Sequence, residues 1–219
     1  MSVGFLTDTT LCIGCKACEV ACKQWNGLPE DGIELTGASY DNTLSLNATT
    51  WRHVAFVESF ADQNGRPGGW LLMSDVCNGC GYCVPACPFG VVAIEPEQGL
   101  AQKCTLCYDR LKDGLEPACA KACPTDSIQF GELGALRERA ERRVETLRAR
   151  GVEGAYLYGR EEIAGGLNAS FILLREPETY GLPRRPRLGV DNVAPASAAA
   201  LVAALGVLAA TAAAFLRRS

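Results

Sequence analysis

Histidine, positive charge and long apolar runs are scarce in this chain, and each scarcity narrows what it can do. His53 is the one histidine among 219 residues. No imidazole cluster can form, and a lone histidine in a strand-like segment reads as structural, not as a ligand or proton carrier. The formal charge is −4, from 21 Lys and Arg against 25 Asp and Glu. No basic block carries interleaved aromatics, so no nucleic acid is expected as a partner. Met1–Asp8 has no basic n-region, apolar h-region or twin arginine, and no export address is expected of the chain itself. No nucleophile–base pair, phosphate loop or substrate pocket is legible either. The chain reads as a wire, with no catalytic residue of its own.

Cysteine is what the chain has in excess. Its 12 cysteines fall into three groups with none left over. Cys12, Cys15, Cys18 and Cys22 form the first. Cys77, Cys80, Cys83 and Cys87 form the second, a C-x2-C-x2-C-x3-C-P run closed by Pro88. Cys104, Cys107, Cys119 and Cys123 form the third, closed by Pro124, with Tyr108–Ala118 inserted between its second and third cysteines. So many cysteines fit a disulfide framework, zinc sites or iron–sulfur ligands. Disulfides are disfavoured where thiols stay reduced. Zinc ribbons use two C-x2-C pairs, which leaves the third and fourth cysteines of each run unexplained. Cysteines at i, i+3 and i+6 instead make a loop that wraps a cubic [4Fe–4S] cluster, and in two-cluster ferredoxins the fourth cysteine serves the other cluster. Electron transfer is the function this pattern predicts.

The local pattern places these groups on short elements. Thr7–Leu11 reads as a strand leading into the first group, and Ala17–Trp25 as a helix with Cys18 and Cys22 one turn apart on one face. Gly14 suits the tight loop because it takes positive φ without steric cost. Lys16 and Lys23 either offset cluster charge or are solvated. Residues 27–50 read as a long loop. Trp51–Glu58 and Gly69–Met73 read as strands of a hairpin turning at Asn64–Gly69. Phe89–Ile94 and Thr125–Phe130 read as strands that follow the second and third groups, an internal repeat of cysteine loop, short helix, Pro and strand. The insert at Tyr108–Ala118 is expected to extend over the surface. Leu133, Leu136, Ala140, Val144 and Leu147 mark an amphipathic helix ending before Gly151. Its other face, with Arg137, Arg139, Arg142, Arg143, Arg148 and Arg150, is expected to be solvated or to face a partner. Ala155–Tyr158 and Phe171–Leu174 read as short strands packed on the core, and Pro183–Arg187 as a linker. Ala194–Leu216 carries no charge and at ~1.5 Å per residue spans roughly 35 Å, enough for a membrane helix. Its small residues suit packing against another membrane helix. Arg184, Arg185 and Arg187 on one side and Arg217 and Arg218 on the other leave its orientation open.

Three stretches carry a family resemblance: Cys12–Asn26, Cys77–Gly90 and Lys103–Lys112, together with Glu116–Thr125. They resemble the iron–sulfur (β) subunits of membrane-associated molybdopterin oxidoreductases, and among these most of all the formate dehydrogenase β subunits. The resemblance extends to Glu178–Pro183 and the apolar C-terminal segment. It implies an α+β fold: a ferredoxin-like cluster-binding core with a β-hairpin insertion and a single C-terminal membrane helix. It implies domains at 1–27 with 96–131 (two clusters), 28–95 (hairpin and a truncated second cluster domain), 132–192 (amphipathic helix and docking extension) and 193–219 (membrane helix). It also implies the ligand sets. Cys12, Cys15 and Cys18 with Cys123 would hold one [4Fe–4S] cluster, and Cys104, Cys107 and Cys119 with Cys22 a second.

Such subunits usually have four cysteine runs, and here one of the two middle runs is missing. Cys77, Cys80 and Cys83 thereby lose their remote fourth ligand, and Cys87 its cluster. Three outcomes stay open: Cys87 closes a third [4Fe–4S] cluster, a labile or three-iron cluster forms, or the site holds nothing. The implied partners are a molybdopterin-containing catalytic subunit and a membrane cytochrome b or quinone-reactive subunit, at the cell membrane. The implied reaction is formate oxidation, with dimethyl sulfoxide, polysulfide, nitrite or thiosulfate systems as alternatives. Outside this family stand a free ferredoxin-like carrier and a zinc-binding interaction module.

Overall fold

The computed structural model describes residues 2–31, 45–55, 71–74, 83–95, 101–160, 163, 165–186 and 193–216. The expected turn at 64–69, and Cys77 and Cys80, lie outside these residues. The chain divides into two compact units, Met1–Pro186 and Arg187–Ser219.

The first unit is arranged about β1 (Val3–Asp8). This strand ends earlier than the Thr7–Leu11 pattern predicts, and Asp8 is the reason. Its carboxylate accepts the Thr10 N–H at 3.0 Å and the Thr10 hydroxyl at 2.6 Å, which turns the chain out of extension. β1 pairs antiparallel with β6 (Ile128–Glu132) and parallel with β8 (Ala169–Leu173), and β8 pairs antiparallel with β7 (Tyr156–Tyr158). The resulting order is β6-β1-β8-β7. The strand predicted from Thr125 starts only at Ile128, after a left-handed Asp126 at φ 51°. Gly4 permits the tight seam at the start of β1, where a methyl group would overlap the Asn168 carbonyl and Leu133.

Alternate residues of β1 face two different cores, as the two-residue period of a strand requires. Phe5 packs with Cys18, Val54, Cys119 and Ile128 on the cysteine side, edge-on to Phe130 with ring centres 5.1 Å apart. Leu6 packs on the other face with Leu136, Ala140, Val144 and Leu147. Those four lie on α5 (Leu133–Ala149), the helix their spacing predicts. Glu132 caps it by accepting the N–H groups of Gly134 and Ala135 at 2.9 and 2.6 Å, which hold its carboxyl below the usual range. Leu6, Ile172 and Leu173 are among the most completely buried side chains, each contributing roughly 1.5–3 kcal/mol.

The arginine face of α5 is only partly the solvated or partner-facing surface its composition suggests. Arg142 is exposed, but Arg137 and Arg148 reach the carbonyls of Leu167 and Ala155 at 3.5 and 2.9 Å. Arg143 bonds to the buried carboxylate of Asp8 at 2.8 Å and to the Thr10 hydroxyl at 3.0 Å. The segment after α5 is likewise no appendage, since β8 lies inside the sheet. A third core joins Tyr158, Phe171, Leu173, Tyr180 and Leu182, and Tyr158 donates to the Pro183 carbonyl at 2.6 Å.

β2 (Arg52–Ala55) pairs antiparallel with β3 (Leu71–Ser74), with Arg52 opposite Ser74. Of the strand predicted over Phe89–Ile94, only β4 (Ala93–Ile94) pairs, with β5 (Ala101–Gln102). The Gly90 N–H turns back to the Cys87 carbonyl at 3.2 Å with φ 64°, and this shortens it. Four short helices carry or flank cysteines: α1 (Ala17–Asn26), α2 (Cys83–Ala86), α3 (Tyr108–Lys112) and α4 (Ala118–Lys121). The insert at Tyr108–Ala118 is therefore folded at its start, and α3 is tied to α1. Trp25 donates to Asp109 at 2.7 Å, and the Arg110 guanidinium lies 4.2 Å above the Trp25 ring. In the second unit, α6 (Val193–Leu216) is a 24-residue helix. Its Val193–Thr211 stretch has a mean hydropathy of 2.1 and no buried share, and is long and apolar enough to cross a membrane.

Replacing Arg143 with Met should destabilise the protein by roughly 2–3 kcal/mol, because it strands a carboxylate that is 2% exposed. Arg142→Met, on the solvated part of the same helix, should stay within about 0.5 kcal/mol. Denaturant unfolding of the two iron-loaded variants against the parent checks this.

Candidate metal centres

The first cysteine loop is bent by two left-handed residues, Gly14 at φ 69° and Lys16 at φ 57°. Gly14 takes the conformation expected of it. Lys16 takes it without a glycine's freedom, at a cost of about 1–2 kcal/mol. The bend leads Cys12 and Cys15 back towards Cys18 in the first turn of α1. Cys123, which follows α4, reaches the same place. Cys12, Cys15, Cys18 and Cys123 line one narrow cleft, with Val54 and Ile128 among its walls. Burial pushes the Cys12 thiol up, against the Gly14 N–H that lowers it. Burial pushes Cys18 up to about 11, opposed by Arg52.

The second assembly lies one helical turn along α1. Cys22 is buried, and its thiol is pushed up to about 12, first by burial and then by the neighbouring Cys104, Cys119 and Cys107. Cys104 is held at about 11, again by burial first, although the Leu106 N–H points at its sulfur from 3.4 Å. Leu106 and Cys107 are both left-handed, at φ 59° and 50°. Leu106 follows Cys104 by two residues, as Gly14 follows Cys12, so the two loops curl in the same way. Cys119 sits on α4, which packs on α1. Among the described residues no three Cys, His, Asp or Glu side chains meet closely enough to hold one metal ion. A four-iron cube has its irons at separate corners, and its ligands need not meet on a point.

Several residues around these sulfurs carry no sequence signal of their own. Arg52 is 4% exposed. It lies within electrostatic reach of Cys119, Cys18 and Cys104. Only its position as a charge inside an otherwise apolar strand could have pointed to it. Glu19, also buried, accepts the Val54 N–H and thereby ties β2 to α1. His53 lies beside it, Nδ1 to Oε1 at 3.5 Å, a structural place for the lone histidine. Lys16 pairs with Glu19 at 3.5 Å. Lys23 turns to Asp31 and to the Pro29 and Thr49 carbonyls, each at 2.9 Å, so its bonds hold a loop and not a cluster. Lys103 is buried and donates to the Cys104 carbonyl at 2.6 Å. Of the central run, Cys83 begins α2 and Cys87 follows it half-buried.

Thiols this deeply buried and this crowded are unfavourable as free thiolates and favourable as ligands, because a bound metal takes up the charge. With inward-turned N–H groups and a buried guanidinium, the donor set fits [4Fe–4S] clusters. The sequence agrees. Residues 11–91 and residues 61–133 each match a 4Fe-4S dicluster domain, which places the chain among the dicluster iron–sulfur proteins. It is 37% identical over 222 residues to the iron-sulfur subunit of the nitrate-inducible formate dehydrogenase of Escherichia coli, covering 85% of this chain and 74% of that one. It is 35% identical over 226 residues to the formate dehydrogenase iron-sulfur subunit of Haemophilus influenzae, covering 87% and 72%. The thiosulfate reductase electron transfer subunit PhsB of Salmonella typhi is 38% identical over 150 residues, covering 58% and 74%. The chain belongs to the family of formate dehydrogenase iron–sulfur subunits. Its cofactors are [4Fe–4S] clusters.

Glu19→Ala leaves the buried Val54 N–H without its acceptor and should cost about 2–3 kcal/mol, with Glu19→Gln losing roughly 1 kcal/mol or less. Thermal unfolding of the iron-loaded chain checks the order of the two.

Proposed function

We propose that this chain is the electron-transfer subunit of a formate dehydrogenase, relaying electrons from a molybdopterin catalytic subunit to a membrane cytochrome b or quinone-reactive subunit. The observation that carries the reading is where the fourth cysteines of the first and third runs lie. Cys123 lines the cleft of Cys12, Cys15 and Cys18, and Cys22 lies among Cys104, Cys107 and Cys119. Each set of four is read as the ligand set of one cluster. When bound, each [4Fe–4S] cluster supplies a one-electron carrier. The chain's own part is to hold the two sites one helical turn apart along α1, to turn N–H groups inward, and to exclude water with Phe5, Val54 and Ile128.

The domain reading follows. Residues 1–27 with 96–131 form the two-cluster ferredoxin-like core, and 28–95 an insertion that carries the β2–β3 pair as its hairpin and a shortened second cluster domain. Residues 132–192 are the amphipathic helix and docking extension, whose β7 and β8 complete the sheet of the first unit, and 193–219 anchor the chain as a single membrane span. Cys77, Cys80, Cys83 and Cys87 are read as a third site. A lost repeat in this region would leave a gap on this side of an alignment, and the E. coli comparison spans 222 positions while taking in 85% of a 219-residue chain. The match must open gaps on this side.

A second reading, a subunit serving thiosulfate reduction, is favoured by the likeness to PhsB. Partners co-purified with the untagged chain decide: formate-dependent dye reduction supports the first reading, and thiosulfate reduction without it overturns that reading. Iron and acid-labile sulfide should come to about twelve per chain, whereas about eight would remove the third site. Cys22→Ser should lower the iron count by about four and leave the first site's electron paramagnetic resonance signal in place.

A further inference from the structure

We infer that Arg52 is the shared positive partner of both outer cluster sites, donating N–H groups towards their sulfurs and raising the reduction potential of each. The inference rests on the ligand sets proposed above. Cys18 of the first set and Cys104 and Cys119 of the second all lie within the field of Arg52, and Val54, two residues further along β2, lines the cleft of the first set. It therefore stands between the two sites and does not belong to either. Among protein acceptors of the described residues, its Nε and Nη2 find none, although the residue is 96% removed from solvent by the 4% left exposed. A guanidinium has five donors in a rigid planar fork and cannot shed its proton. Donors left over at such depth require acceptors that the described residues do not provide, and sulfur at the two cluster sites is the chemistry proposed for them.

The other described cations near the sulfurs do not fill this place. Lys23 is bound to Asp31 and two carbonyls, Lys16 is paired with Glu19, and Lys103 donates to the Cys104 carbonyl in the second set. The position of Arg52 is built in. β2 is fixed to β3 by pairing and to α1 by the Glu19 carboxylate on the Val54 N–H, two residues beyond. A [4Fe–4S] site with four thiolates is negative and gains one further negative charge on reduction. A fixed cation and N–H donors therefore favour the reduced form, since net charge and hydrogen bonds to sulfur set the potential.

The test uses the anaerobically purified full chain with its co-purifying partners, in parent, Arg52→Lys and Arg52→Gln forms. Iron and sulfide are counted first, and potentials are then read by redox titration followed by electron paramagnetic resonance. Glutamine should shift both outer sites down by at least tenfold in the reduced-to-oxidised ratio, 59 mV for a one-electron couple, and lysine by less. Unshifted potentials in the glutamine form, or a shift at one site only, overturn the inference. Should the glutamine form lose iron, the lysine form decides. Full iron there supports a charge acting on the sites, and equal loss in both overturns it in favour of a purely structural arginine. A parent without two outer-site signals refutes the ligand sets themselves, a result distinct from either.

Discussion

Crowding sulfurs such as those of Cys18, Cys22, Cys107 and Cys119 into a protein interior is the constraint on which the rest of this structure depends. Low dielectric makes each thiolate costly and makes neighbouring thiolates repel. The upward push on Cys18, Cys22 and Cys104 comes from burial first, and for Cys22 from its three sulfur neighbours next. The fold answers with backbone dipoles, a buried arginine and helices that fix where each sulfur stands. Those answers are non-local. Arg52 comes from a strand far along the chain from Cys18, and it is placed by Glu19, the residue next to that cysteine.

The proposed cysteine exchange fits the course of the chain. Along α1, Cys18 would belong with the first set and Cys22 with the second. Along α4 and the residue pair that ends it, Cys119 would belong with the second set and Cys123 with the first. Two segments that visit the same two places in opposite order must run in opposite directions. α1 and α4 pack together, and the four-residue spacing of each gives one helical turn between sites. β1 and β6, which precede α1 and follow α4, pair antiparallel for the same reason.

Much of this was legible in the residues, and the limits are physical. The three- and four-residue spacing over Leu133–Leu147 is a local signal, and α5 appears where it points. Cys18 and Cys22 share a helix as their spacing requires, and Gly14 has the positive φ its loop needs. Ligand sets were a matter of resemblance, because spacing alone does not say which run completes which. The sheet order was not legible, since nothing local to Ala169–Leu173 says that it lies parallel beside β1 and not at an edge. Asp8 and Arg143 were missed together. Each looks like an ordinary surface residue until the 2.8 Å contact across 135 positions is seen.

The same geometry explains why the proposed loss of a middle run can be borne. In the proposed ligand sets the outer exchange draws its sulfurs from residues 12–22 and 104–123 and calls on none from between. Its walls, Phe5, Val54, Cys119 and Ile128, are one packed group, and its cation stands on β2. Deleting a repeat between β3 and α2 removes an exchange partner from Cys77–Cys87 alone. In a ferredoxin half each run depends on one other, so damage stops at the partner. Duplication thus confers a modularity that sequence repetition only hints at: the loss of one run touches the site of its exchange partner and leaves the proposed outer pair of runs alone.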